Sequence, residues 1–144
     1  MFVREFQHPD RAQCAALYEL AWNDTFPDLQ RSISPDQFED ETKGERILIA
    51  EIDGKVVGFA SLWEPEAFLH HLHVSPDYHR RGIGTSLLER VLKLANSHVS
   101  LKCQVENRRA LEFYRHHGFE AAGESGADSY GKWERLVRKS GQSP

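Results

Sequence analysis

A mixed sheet with helices packed on its faces, an α/β arrangement in one domain spanning 1–144, is the fold that this sequence predicts. Two observations carry it. RILIAEI (46–52), Asp53-Gly54 and KVVGFASLW (55–63) read as a hairpin, and 68–118 then alternates strand and helix signals twice. Internal repeats, low-complexity tracts and a linker-like break in composition are all missing from the sequence. A chain of 144 residues buries roughly 68–70% of its unfolded surface on folding, so it needs no disulfide or metal to hold together.

The elements follow in order. FVREF (2–6) is a first strand. The next segment, HPDRAQCAALYELAWNDTF, places Ala12, Ala15, Ala16, Leu20 and Trp22 at helical intervals, with Pro9 near its start. A second helix is expected over 34–43, where Ser34, Pro35 and Gln37 form a capping box with proline at the first helical position. In the hairpin, Asp53-Gly54 supplies the two positive φ values of a type I′ turn. FLHHLHV (68–74) is a strand with His70, Leu72 and Val74 on one face and Leu69, His71 and His73 on the other; Pro76 ends it. Ile83, Leu87, Leu88, Val91, Leu92 and Ala95 make one apolar helical stripe. VSLKCQV (99–105) is a strand, and a helix capped by Asn107 and stopped at Gly118 follows. FEAAGE (119–124) and KWERLVRK (132–139) are weaker closing strands.

With 40% hydrophobic and 28% charged residues and a net charge of -4, the chain reads as globular rather than disordered or membrane-embedded. Its acidity argues against nucleic acid as a partner. Cys14 and Cys103 stand among apolar neighbours with no paired or metal-ligand spacing, as buried free thiols do, which suits a reducing cytoplasm. No apolar run has the length of a signal or a membrane span.

The chemistry concentrates in YHRRGIGTSLLERVL, beginning at Tyr78. A helix start presents backbone N–H groups without intrahelical partners and a partial positive charge. Gly82 and Gly84 let a phosphate approach that backbone, Arg80 and Arg81 add cations, and Thr85 adds a hydroxyl. A bare GxG more often only turns a loop; the apolar strand before this one and the amphipathic helix after it favour the phosphate cradle. It is neither a P-loop nor a dinucleotide fingerprint, because GK[ST] and a third glycine are missing.

LHVSPDYHRRGIGTSLLERVL resembles motif A of the GNAT superfamily of acyl-CoA-dependent N-acyltransferases, and NRRALEFYRHHGFEAAGE resembles its motif B. The resemblance covers about 68–124. It implies a mostly antiparallel sheet of about six or seven strands, splayed in the middle, with about four helices and acetyl-CoA in the cleft. It further implies that the backbone of Leu72, His73 and Val74 meets the pantetheine arm. The amides of His79, Arg80, Arg81, Gly82, Ile83, Gly84 and Thr85 would hold the pyrophosphate, and Asn107 would touch the cofactor. Tyr114 would stand near the thioester sulfur as general acid. His79 departs from the family's usual Gln or Arg, which puts a side-chain contact there in doubt. Members occur as monomers and as homodimers.

Direct attack of an amine on a thioester needs a neutral amine, a polarised carbonyl and a proton for the leaving thiolate. For the base, His71 is the preferred choice and Glu66 the carboxylate alternative. His71 and His73 share a face at a two-ligand spacing, but no third ligand stands at a telling interval, so no metal is expected. Asp36, Glu39, Asp40, Glu41 and Glu45 make the region of the second helix acidic, which suits a cationic amine; a solvated helix face is the plainer account. Trp22, Phe26, Trp63 and Phe68 are candidates for aromatic pocket walls or for core. The leading expectation is an acetyl-CoA-dependent N-acetyltransferase acting on a primary amine of a small molecule or protein. A protein N-terminus or lysine as acceptor is its nearest variant. A non-catalytic acyl-CoA sensor and a polyphosphate or nucleic-acid binder using Arg80 and Arg81 are the other classes.

Overall fold

The computed structural model describes residues 1–139. Seven strands, β1 (Phe2–Glu5), β2 (Arg46–Ile52), β3 (Lys55–Trp63), β4 (Phe68–Val74), β5 (Val99–Gln104), β6 (Glu120–Asp128) and β7 (Gly131–Arg138), form one sheet in the order β1-β2-β3-β4-β5-β7-β6. Four α-helices flank it: α1 (Arg11–Thr25), α2 (Pro35–Glu41), α3 (Ile83–Ala95) and α4 (Arg108–His116). Every neighbouring pair is antiparallel except β4 and β5, which run parallel and meet only at Phe68 and Ser100. Beyond that point the sheet splays open, and β4 keeps a bare edge toward β5.

The alternation along β2 shows how the layers form. Leu48 and Ala50 point into a core shared with α3 and α4, while Ile47 and Ile49 point into a second core beneath α1 and α2. Burial on both faces is why β2 reads as a nearly continuous apolar run rather than a strict alternation. The α3 stripe behaves as its periodicity predicts: Ile83, Leu87, Leu88 and Val91 are buried. Each such side chain contributes roughly 1.5–3 kcal/mol by leaving water.

A β-bulge changes the expected faces of β4. The register against β3 slips between Ser61↔His71 and Leu62↔Leu69, leaving His70 as the extra residue. Leu69 therefore joins Leu72 and Val74 on the α3 side, and not His71 and His73 as strict alternation predicts. The rings of His71 and His73 lie against Tyr18 of α1, with centroids 5.0 and 4.8 Å away.

Three other expectations are corrected. α1 buries Cys14, Ala15, Leu17, Tyr18, Ala21 and Trp22, whereas Ala12, Ala16 and Leu20 face solvent. The stripe that meets the sheet includes an aromatic with a polar tip and a cysteine, which the apolar count passed over. The capping box of α2 is half made: Ser34 Oγ accepts from the Gln37 N–H at 3.0 Å, but the Gln37 side chain donates instead to Glu41, and the helix ends at Glu41. β6 runs on to Asp128, past the expected end, because main-chain pairing with β7 from Ser125 onward carries a segment whose side chains are mostly exposed. The Asp53-Gly54 turn is as expected, with φ of 50° and 78°.

Candidate active site

The splay between β4 and β5 opens a cleft of about 1220 Å³ whose walls include β4, the start of α3, α4 and α1. Bridging it at one end, the short turn Pro76–Tyr78 leads into a loop where Arg80 has φ of 65° and Gly82 φ of 75°. These left-handed conformations turn the chain sharply into α3. The first helical bond there runs from the Ser86 N–H to the Gly82 carbonyl at 3.0 Å. The amides of Ile83, Gly84 and Thr85 precede it and are unclaimed by the helix. A Cβ on Gly84 would stand 3.4 Å from the Phe113 ring, so the glycine lets α4 close against this end of α3.

Around that helix start the cations differ from expectation. Arg80 lines the cleft, but Arg81 does not; its guanidinium lies 5.0 Å over the half-buried ring of Tyr78, which does. In its place Arg109 of α4 lines the cleft and donates from Nη1 to His79 Nδ1 at 2.6 Å. Sequence reasoning missed Arg109, although it sits two residues after the Asn107 cap in the same stretch. Asn107 Oδ1 accepts from the Ala110 N–H at 3.2 Å, which leaves its Nδ2 group for a ligand. Thr85 Oγ1 is 3.2 Å from His117 Nε2.

Tyr114 is buried between Phe113 and Phe119, with ring centroids 5.3 and 5.4 Å away, and still lines the cleft. Burial raises its phenol pKa above the usual value, so the group holds its proton. Among the described residues its hydroxyl has no hydrogen-bond partner, a group free to donate to whatever enters. Cys103, behind it, is pushed up to about 12 by burial and is no nucleophile at neutral pH.

The other side of the cleft is aromatic and ionic. Arg31, from the loop after α1, donates to Tyr18 Oη at 2.7 Å and to Glu41 at 2.8 Å. Its guanidinium lies 4.7 Å from the Trp22 ring and 4.9 Å from that of Tyr130, at the turn between β6 and β7. Asn23 holds the loop in place, accepting from the Arg31 N–H at 2.8 Å and donating to its carbonyl at 2.9 Å. Trp22, Phe26 and Phe68 line the cleft, whereas Trp63 packs over Gly44 outside it. The acidity around α2 is largely compensated: Arg11 pairs with Asp36 and Glu39, and Arg31 with Glu41. Tyr18, Arg31 and Tyr130 were not legible as site residues, because they come from a helix, a loop and a hairpin turn with no shared motif.

His71 and His73 both line the cleft, with His71 Nδ1 3.3 Å from His73 Nε2. Desolvation, with His73 and His70 adding to it, keeps His71 well below the usual imidazole range; His73 is lowered to about 4 by burial first and then by Arg31. Both rings are therefore neutral near pH 7. His71 Nε2 is buried without a hydrogen-bond partner. Glu66 lies exposed in the turn Glu64–Glu66 and is not among the residues lining the cleft. The fold thus brings His71 to the cleft and leaves the carboxylate alternative outside. The metal-ligand types that the fold brings together are not the His71–His73 pair plus a third residue but Glu45, His70 and His71, one donor atom of each lying within 4.8 Å of the others.

A family model described as the Acetyltransferase (GNAT) family covers residues 14–119. The chain belongs to this family. An uncharacterized N-acetyltransferase of Methanocaldococcus jannaschii is 36% identical over 104 residues, covering 63% of this chain and 44% of that protein. The peptidyl-lysine N-acetyltransferase YiaC of Escherichia coli is 39% identical over 69 residues, covering 48% of this chain and 46% of that protein. The matched part spans less than half the length of either relative. In fold, the chain resembles the PaiA N-acetyltransferase of Thermoplasma acidophilum, solved in complex with coenzyme A, with a TM-score of 0.82 at 18% identity over 96% of this chain and 98% of that one. Among the described residues no helix is long and apolar enough to cross a membrane.

Proposed function

We propose that this GNAT domain, a single unit over 1–144, transfers an acetyl group from acetyl-CoA to a primary amine of a small molecule or a protein, in the cytoplasm. The observation that carries the reading is the bare edge of β4 at Leu72, His73 and Val74 beside the unclaimed amides of Ile83, Gly84 and Thr85. An amide-bearing arm extends a strand edge by backbone hydrogen bonds, and a pyrophosphate suits a helix start. One cleft holds both features, with Arg80 and Arg109 beside the phosphate end.

Acetyl-CoA, when bound, supplies a thioester whose carbon is attacked by the amine, the C–N bond forming and the C–S bond breaking. The residues of the chain manage the protons and the charge. Tyr114 keeps its phenolic proton and gives it to the departing sulfur. A backbone N–H of 72–74 stabilises negative charge on the carbonyl oxygen. In the tautomer that donates from Nδ1 to His73, His71 keeps a bare Nε2 lone pair, which takes the proton of the amine through water because the atom itself is buried. The proton lost by nitrogen and the one gained by sulfur balance.

Calorimetric titration with acetyl-CoA, with ADP as the phosphate-only control, tests the binding half. Saturable binding that ADP does not match, followed by amine-dependent release of free CoA, is the expected result. Equal binding of the two would reduce the site to a polyphosphate cradle and sink the proposal. For the base, a pH–rate profile of His71→Ala that keeps the wild-type acidic limb would remove His71 from the mechanism.

A further inference from the structure

Consecutive residues on a strand point to opposite faces, yet the rings of His70 and His71 lie 4.0 Å apart. The bulge at His70 is the cause, since the extra residue returns two successive side chains to the same side. Glu45, from the segment between α2 and β2, approaches the pair with one carboxylate oxygen 2.7 Å from His70 Nδ1. Its other oxygen, Oε1, is buried with no hydrogen-bond partner, and so is His71 Nε2. Buried polar atoms without partners are uncommon because each forfeits its hydration. Here two of them belong to residues that share one cluster of metal-ligand types.

We propose that Glu45, His70 and His71 form a binding site for one divalent first-row transition-metal ion, with zinc the best chemical match. Two imidazoles and a carboxylate are ligands that zinc accepts, with water completing the coordination. One donor atom from each residue lies within 4.8 Å of the others. Ligands on a tetrahedral zinc stand about 3.4 Å apart, given bonds of about 2.1 Å. Closing the set therefore needs the widest pair to approach by up to about 1.4 Å. His70 can make that move, since its side chain is 37% exposed, which also gives the ion a way in. The second shell is present as well: His71 Nδ1 faces His73 Nε2, which fixes the ring and leaves Nε2 for the ion. Glu41 Oε1, 3.9 Å from His71 Nε2, adds negative charge nearby.

An ion at this site occupies the His71 lone pair that the proposed reaction uses as its base. Metal loading then suppresses acetyl transfer without displacing acetyl-CoA. That consequence rests on the proposed function; the site itself does not.

The test is titration of untagged, EDTA-treated protein with Co²⁺, read by the visible d–d band, then displacement by Zn²⁺. Expected are one Co²⁺ per chain and a tenfold or greater loss of affinity in both His70→Ala and Glu45→Gln. Both variants should keep acetyl-CoA affinity and far-UV circular dichroism, which shows that they are folded. His70 is partly exposed and glutamine is isosteric with glutamate, so the fold should survive both changes. The absence of a band, or Co²⁺ binding unaltered by both substitutions, overturns the site and leaves acetyl-CoA binding to stand or fall separately. A loaded protein that still acetylates at the full rate keeps the metal site and removes His71 as base.

Discussion

The guanidinium of Arg31 lies 4.9 Å from the ring centroid of Tyr130, joining the loop after α1 to the turn between β6 and β7 at the wall of the cleft. Tyr130 also meets Trp22 edge-on at 4.8 Å. These contacts shape part of the cleft wall. Tyr130→Ala removes a cation–π contact worth about 0.5–1 kcal/mol at a partly exposed site. The KM for the amine should change by about two- to fivefold while acetyl-CoA affinity stays put, as steady-state kinetics with each substrate varied in turn would show. An equal change for both substrates would place Tyr130 outside an acceptor end.

Tyr114→Phe keeps the ring that packs between Phe113 and Phe119 and deletes only the proton donor. General acid catalysis contributes roughly 10²–10⁴-fold. Turnover should fall by that order, with acetyl-CoA affinity within about twofold and the melting temperature nearly unchanged. Wild-type turnover in the variant would return Tyr114 to a packing role.

Gly58 sits on β3 beside β4, opposite Val74, and against α3. A Cβ there would come within 3.1 Å of the His73 carbonyl oxygen, Ile83 Cγ2 and Leu87 Cδ1. Backbone cannot swing aside as a side chain can, so Gly58→Ala must displace the strand that carries the site. Overpacking of this kind costs about 1–3 kcal/mol. Urea unfolding should report that loss, and acetyl-CoA affinity should fall with it.

Acid should weaken the fold through Asp10. Arg4 donates to both of its carboxylate oxygens at 2.8 and 2.9 Å, and the Gln7 N–H donates to one of them at 2.8 Å. The hydrogen bond from Arg4, first, holds Asp10 below the ordinary value of 3.8. A carboxyl whose folded pKa lies below its unfolded one contributes its stability above the unfolded value. That contribution is lost as pH falls through the folded one. The window for this group therefore opens near 3.8 and extends downward. Asp10→Asn should cost about 2 kcal/mol at neutral pH and flatten the acid limb of unfolding free energy against pH. An acid limb identical to that of the wild type would assign the acid sensitivity to other carboxylates.

Much of the fold is legible in the chain because the signals are local. The Asp53-Gly54 turn, the α3 stripe and the Asn107 cap each depend on residues a few positions apart, and each forms where the pattern predicts. The proposed phosphate cradle is local in the same way, being one continuous segment from Tyr78 to Thr85. The opposite wall of the cleft is different: Tyr18, Arg31, Glu41, His71 and Tyr130 come from five separate segments.

By itself, then, the sequence determined the order of strands and helices, the motif that names the family and the glycine-flanked start of α3. Those follow from hydrophobic periodicity and from backbone preferences of Gly, Asp and Asn, which act within a turn or two. Tertiary structure alone decided that β4 and β5 part after Phe68 and Ser100, that Arg109 rather than Arg81 lines the cleft, and that His70 and His71 share a side. A splay and a bulge are properties of pairing between strands. They set which way a side chain points only once the partner strand is in register.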